Sequence, residues 1–337
     1  MPDVERFRDR PKVVLHDHLD GGVRPATVLD LAAQQGVEVP TEDEADLAEW
    51  FTIAPGMPFE EAWQRFHLVI RLLQDADSLR RVAREAVVDV AADGVVYLET
   101  RFGPLSHRRA GLSADDVMAA VADGLADGER ATGTVARMIV CGIREDGPAL
   151  GVEAAELAGA WAGRGVVGYD IAGAEPGHPA ADFAQAYRIA GDAGLGRTVH
   201  AGEMDGLDSI GSALRVEPDR IGHGWRLADD LDGPVAREVR DRGLPLEVCV
   251  TSNACLGLPV DQHPVRRLRD AGFVVTVNPD DRAITTTSTS RELALWAEHH
   301  GFSDAELADV QRAAVAAAFC DDETRARVAE RVDAGWA

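Results

Sequence analysis

Two histidines, His16 and His18, stand two positions apart at the end of the run Lys12-Val13-Val14-Leu15. Along a strand, residues i and i+2 point to the same side, so both imidazoles can be aimed at one point. Neutral imidazole is a common ligand of zinc and related ions, which makes a metal the natural occupant of that point. A His-x-His pair also occurs on ordinary solvated strands, so the remaining ligands have to come from elsewhere in the chain. Three later apolar runs end in suitable groups: Thr198-Val199-His200-Ala201-Gly202-Glu203, Ile221-Gly222-His223-Gly224 and Asn278-Pro279-Asp280-Asp281. His16, His18, His200 and Asp280 would make a nitrogen and oxygen set suited to one zinc ion, with a position left for water. Each piece also has a plain structural reading, with His200 as a hydrogen-bonded strand end, Asp280-Asp281 as a helix cap, and Gly222 and Gly224 as turn formers.

What would bring these groups together is a repeated alternation of strand and helix. Short apolar runs near residues 12–16, 95–99, 135–141, 166–170, 195–200, 220–223, 244–249 and 273–278 predict eight strands. Helical or turn segments separate them, including helices near 25–36, 79–92, 114–130, 152–162 and 180–193. Such strands pair in parallel with both faces covered, and closure into a TIM-type (β/α)8 barrel is the economical solution. An open doubly wound sheet is the rival, but it would normally carry a Gly-rich phosphate loop after its first strand, where this chain has histidines. In the barrel, the loops at the carboxyl ends of the strands form the active site, and the candidate ligands follow such ends. The expectation is one domain over residues 1–337 with extra helices inserted after the first strand. Residues 41–75 form that insertion and a possible lid. Within it Phe59, Trp63, Phe66, Val69, Ile70 and Leu73 recur at spacings of three and four, the mark of an amphipathic helix.

Composition removes several function classes. The balance of 34 basic against 58 acidic residues gives a net charge of −24, which would repel a phosphate backbone, so nucleic acid is not an expected partner. No apolar run approaches the roughly 18 to 20 residues that span a bilayer. The first ten residues are charged and lack the apolar centre of a signal peptide, so the cytoplasm is the expected location. Cys141, Cys249, Cys255 and Cys320 show no C-x-x-C pairing, which argues against a disulfide framework or a cysteine zinc site. The other six histidines, His67, His107, His178, His263, His299 and His300, fall in helices or loops and are read as structural or surface groups without partners.

The combination L-H-x-H-L-x-G followed by Pro25, then T-V-H-A-G-E, R-I-G-H-G, T-S-N and a late D-D resembles the adenosine deaminase family of the metal-dependent amidohydrolases. Gly94-Val95-Val96-Tyr97-Leu98-Glu99 and the stretch from Gly168 to Glu175 resemble it too, so the likeness covers most of the chain. It implies a hydrolase acting on a cyclic amidine C–N bond. The implied reaction is zinc-dependent conversion of adenosine or 2′-deoxyadenosine to inosine or 2′-deoxyinosine plus ammonia, with a small-molecule purine nucleoside as partner.

By that resemblance His16, His18, His200 and Asp280 hold one zinc, Glu203 protonates N1 of the purine, and His223, held by Ser252, is the general base. Asp281 meets N7, the Gly173 amide meets N3, and Asp20 binds a ribose hydroxyl. The smaller cytidine-type zinc deaminases use H-x-E and C-x-x-C, which this chain lacks. Departures from the family pattern are Pro279 and Arg282 around the acidic pair, Val250 before T-S-N, Arg312 in place of a frequent Asn, and a short loop from Asn253 to Gln262. They bear on pocket shape. Deamination of another 6-aminopurine compound (adenine, aminodeoxyfutalosine or a modified nucleoside) is therefore the alternative, followed by a binding homologue without chemistry.

Overall fold

The computed structural model describes residues 2–337, apart from the side chains of Phe59 and Glu60, so Phe59's place in the apolar stripe lies outside the described residues. Parallel strands form two runs. The first contains β1 (Lys12–His18), β2 (Val95–Phe102), β3 (Val135–Ile143), β4 (Val166–Ala172) and β5 (Gly196–Arg197), in that order. The second contains β6 (His200–Ala201), β7 (Ile221–His223), β8 (Leu246–Val248) and β9 (Val275–Val277). β5 and β6 are two halves of one barrel strand. Between them the Thr198 N–H donates to Tyr169 O on one side, and Val199 O accepts from the Gly222 N–H on the other. The eight expected strands are all present, and the fold is a parallel α/β barrel.

Closure of the barrel happens at the candidate ligands. The His18 N–H donates to Asp280 O at 3.0 Å, and the Asp280 N–H donates to His16 O at 3.2 Å. Pro279 has no N–H to offer this seam. Asn278 supplies a side chain instead, its Oδ1 accepting from the Leu15 and His16 N–H groups at 2.9 and 3.1 Å.

The strands carry near-continuous apolar runs because helices cover them outside, yet single charges interrupt β2, β4 and β8. Tyr97, Glu99 and Arg101 of β2 share one face by the period of two, and that face is the barrel interior. There Arg220 bridges Glu99 and Glu247, both at 2.6 Å, and Arg101 bridges Asp170 at 2.6 Å and Glu247 at 2.9 Å. All five side chains are essentially inaccessible to solvent. Buried charges persist only when paired and hydrogen-bonded, and here each carboxylate meets at least one guanidinium.

Helices Glu44–Phe51 and Phe59–Leu72 stand between the first barrel helix, Pro25–Gln35, and Ala76–Ala92. They are the extra elements expected after the first strand. Asp43 caps the former, accepting from the Ala45 and Asp46 N–H groups, while Leu47 and Phe51 anchor it in the core. The helix expected near 152–162 begins earlier, at Pro148, because proline after Gly147 suits a first helical position. No helix is long and apolar enough to cross a membrane among the described residues.

Replacing Arg220 by Leu should strand Glu99 as a buried charge, leave Glu247 with Arg101 alone, and cost about 3–5 kcal/mol in urea unfolding at neutral pH. Burial opposes ionisation of Glu247, but Arg101 and Arg220 override it and hold the carboxyl well below its ordinary value of 4.5. A depressed folded-state pKa stabilises fully above the ordinary value, so this contribution should fade as the pH falls below about 4.5.

Candidate active site

The carboxyl ends of the strands open into a cavity of about 640 Å³, lined by His18, Asp20, His200, Glu203, Asp280 and Asp281 among others. Gly173 and Ser252 also line it. Every residue singled out from the sequence except His16 and His223 borders this space. Those two are fully buried just beneath it.

Ligand atoms of His16, His18, His200 and Asp280 all lie within 4.8 Å of one another. Asp280 Oδ1 is 3.0 Å from His16 Nε2 and 3.3 Å from His18 Nε2, and His18 Nε2 is 3.2 Å from His200 Nε2. His16 Nε2 and Asp280 Oδ1 are buried without a hydrogen-bond partner. Buried polar atoms are ordinarily satisfied, so converging unpartnered ones fit a cation of the borderline class that takes nitrogen and oxygen donors. His16, His223, Cys249 and Asp280 make a second such cluster. Burial pushes the Cys249 thiol well above its ordinary value, which opposes the thiolate that such a site would need.

Carboxylates stand behind two of the imidazoles. His16 Nδ1 lies 2.8 Å from Glu247 Oε2, and His200 Nδ1 lies 2.9 Å from Asp170 Oδ2. The Glu247 carboxylate requires an N–H facing it, which puts the His16 proton on Nδ1 and turns a bare Nε2 inward, the form that binds a metal. Glu247 and Asp170 were not singled out in the sequence. Their signal is a lone acid inside an apolar strand run, Leu246-Glu247-Val248 and Gly168-Tyr169-Asp170-Ile171.

Glu203 faces the same point. Its loop is fixed by the buried Glu175, whose carboxylate accepts from the Gly202, Glu203 and Met204 N–H groups at 2.9, 2.8 and 3.1 Å. Burial, with Asp280 and Glu175 nearby, drives the Glu203 pKa well above its ordinary value of 4.5. Burial also raises Asp281 well above its ordinary value, reinforced by Asp280 and Asp20, and burial lifts Asp20 to about 6.

His223 Nε2 is 3.6 Å from Glu203 Oε1 and 3.8 Å from Asp280 Oδ2. The side chain that meets its Nδ1 is Asn253 at 3.2 Å, whereas Ser252, expected to hold it, lines the cavity. His107 and His263, read as partnerless, do have partners. His107 Nδ1 meets Leu73 O, and His263 Nε2 meets Asn253 Oδ1 at 3.1 Å.

The backbone is strained where the chemistry is expected. His223 and Asp280 have φ of 59° and 63°, values that side-chain-bearing residues rarely adopt. Gly21 and Gly22 make room for the acidic pair and its neighbour. A Cβ on Gly21 would come 1.7 Å from Asp281 Oδ1, and one on Gly22 would come 2.4 Å from Arg282 Nη2. Arg282, one of the departures, is half-buried against Asp17 of β1, and the Thr100 hydroxyl donates to the same carboxylate at 2.9 Å.

A family model described as adenosine deaminase matches residues 11–335. The chain belongs to the adenosine deaminase family. It is 41% identical to an adenosine deaminase of Mycobacteroides abscessus, over 99% of this chain and 98% of that protein. Among solved structures it is similar to an adenine deaminase from Arthrobacter aurescens, with a TM-score of 0.87 and 26% identity over 97% of this chain and 98% of that one. An amidohydrolase from Burkholderia ambifaria with bound zinc gives a TM-score of 0.88 at 28% identity, over 99% and 94% of the respective chains. As a member of this family the chain is a hydrolase that deaminates purine compounds, on a TIM-type barrel, and the family is metal-dependent.

Gly21→Ala should push Asp281 aside while leaving the four metal donors in place. The expected outcome is unchanged metal content by plasma emission spectrometry together with a loss of turnover. His200→Ala should lose most of the bound metal with the circular dichroism of the fold retained.

Proposed function

We propose that this protein hydrolyses adenosine and 2′-deoxyadenosine to inosine and 2′-deoxyinosine, releasing ammonia, with one zinc ion held by His16, His18, His200 and Asp280. The observation that carries the reading is Glu203. A carboxyl whose pKa burial raises well above its ordinary value, beside a cluster of candidate metal donors and facing a purine-sized cavity, suits protonation of a ring nitrogen. When bound, zinc supplies Lewis acidity and brings the pKa of a coordinated water towards about 7.

The chain's own residues do the rest. Glu203 gives its proton to N1, which withdraws electrons from C6 and opens that carbon to addition of water. His223 sits beside Glu203 and Asp280, where it orients the attacking oxygen. Asp281, held protonated, donates to N7, and the Gly173 N–H donates to N3. Asp20 holds a ribose hydroxyl. Water adds at C6 and gives up a proton, the exocyclic amine takes up that proton and leaves as ammonia, and the added hydroxyl returns its proton to Glu203 to give the 6-oxo product. Residues 41–75 act as a lid on one 1–337 domain. Ile53, Trp63, Phe66 and Ile70 from this segment line the cavity, and the Ile53 N–H is tied to Ile284 O at 3.0 Å in the loop after β9. The setting that fits this reaction is cytoplasmic purine metabolism.

The runner-up is another 6-aminopurine compound, favoured by the likeness to an adenine deaminase. The two separate on Asp20. If the substrate is a nucleoside, Asp20→Ala should raise KM for adenosine about tenfold or more, the scale of a lost charged hydrogen bond, and leave any turnover of free adenine unchanged. Glu203→Gln should keep its zinc and lose at least about 100-fold in kcat, followed by the fall in adenosine absorbance. Because the acid form of Glu203 is the active one and its pKa is raised, kcat/KM should fall on the alkaline side. A zinc-loaded preparation inert towards adenosine would refute the proposal.

A further inference from the structure

His263 and Asn253 lie outside the machinery described above, yet they form a chain of contacts that ends on His223. The chain starts from a donor whose polarity is not negotiable. The Val265 backbone N–H points at His263 Nδ1 at 3.2 Å, so that nitrogen must be the acceptor. His263 is buried, and burial, aided by His300, lowers its pKa to about 3, so the ring is neutral and its single proton is on Nε2. That N–H donates to Asn253 at 3.1 Å, which identifies the receiving atom as Oδ1. The orientation of the amide is thereby settled by its neighbours. The Asn253 NH2 group must then face His223, where it donates to Nδ1 at 3.2 Å. A ring that accepts at Nδ1 carries its proton on Nε2 when neutral.

We infer that His263 and Asn253 are positioning residues that hold His223 as the Nε2–H tautomer, a hydrogen-bond donor to the attacking oxygen in place of the general base expected from the sequence. The arrangement is the reverse of that behind His16, where the Glu247 carboxylate holds the proton on Nδ1 and leaves Nε2 bare. An imidazole with Nε2–H cannot ligate a metal through that nitrogen, so the relay also separates the two candidate donor clusters. It removes His223 and leaves His16, His18, His200 and Asp280. Asp280 Oδ2 lies 3.8 Å from His223 Nε2, where it is placed to receive the proton that water gives up. That proton then passes to the departing amine.

The inference rests on the proposed deaminase reading for its catalytic consequence, but the tautomer itself can be read without substrate. Zinc-loaded protein with 15N-labelled histidine is examined by two-bond 1H–15N correlation NMR at neutral pH, and the His223 signals are assigned by their loss in His223→Gln. The expected result is an unprotonated Nδ1 and a protonated Nε2. The opposite pattern overturns the inference. Asn253→Asp replaces the NH2 donor by an acceptor of the same shape, so Nδ1 should gain a proton. kcat should then fall roughly tenfold or more while KM stays within about threefold and zinc content is kept.

A second pair serves if the Asp variant does not fold. His263→Leu removes the group that orients the Asn253 amide and should give a mixture of both His223 tautomers, whereas His263→Gln retains an N–H donor and should restore the wild-type pattern. An unmixed wild-type pattern in His263→Leu overturns the inference. Inactivity of the wild type towards adenosine with the expected tautomer refutes the deaminase reading alone.

Discussion

The group standing behind each imidazole decides what the front of that imidazole can do. Glu247 behind His16 and Asp170 behind His200 are carboxylates sunk in the barrel interior, where a free charge would be too costly to persist. Arg101 touches both, and Arg220 secures Glu247 from the other side. The interior ion network therefore does more than fill space. It keeps two carboxylates ionised behind the imidazoles of His16 and His200. Behind His223 stands an amide instead, and the front of that ring is correspondingly different.

The same site closes the barrel. Backbone hydrogen bonds between Asp280 and both His16 and His18 form the seam between first and last strands, and Asn278 adds two more through its side chain. Metal donors placed on a seam are held by the closure of the whole sheet, not by the conformation of one loop. That rigidity sustains the left-handed backbone at His223 and Asp280, each a local cost on the order of 1–3 kcal/mol. Pro279 fits here because the seam asks nothing of its missing N–H.

Much of this was legible in the chain. Apolar runs ending in His or Asp marked the strand ends, and the alternation of strand and helix marked the barrel, because both patterns are local. Pairings across the barrel were not legible. Arg101 meets partners 69 and 146 residues away, and Arg282 meets Asp17 across 265 residues, distances at which no periodicity operates. The lone acids Asp170 and Glu247 were visible, but an acid in an apolar run reads equally as an interruption. The resemblance pointed to Ser252 behind His223, one residue short of the side chain that meets it. Val250–Cys255 is a helical turn, on which neighbouring side chains diverge by about 100°, and it is Asn253 that turns to His223.

If the barrel seam and the interior carboxylates select one four-donor site, a single bound ion should sit at the barrel mouth. Anomalous diffraction at the zinc edge from crystals of the zinc-loaded protein tests this most directly. One peak is predicted, about 2.0–2.1 Å from nitrogens of His16, His18 and His200 and about 2.0–2.2 Å from Asp280 Oδ1. A peak coordinated by His223 or Cys249, or none at the barrel mouth, would contradict it.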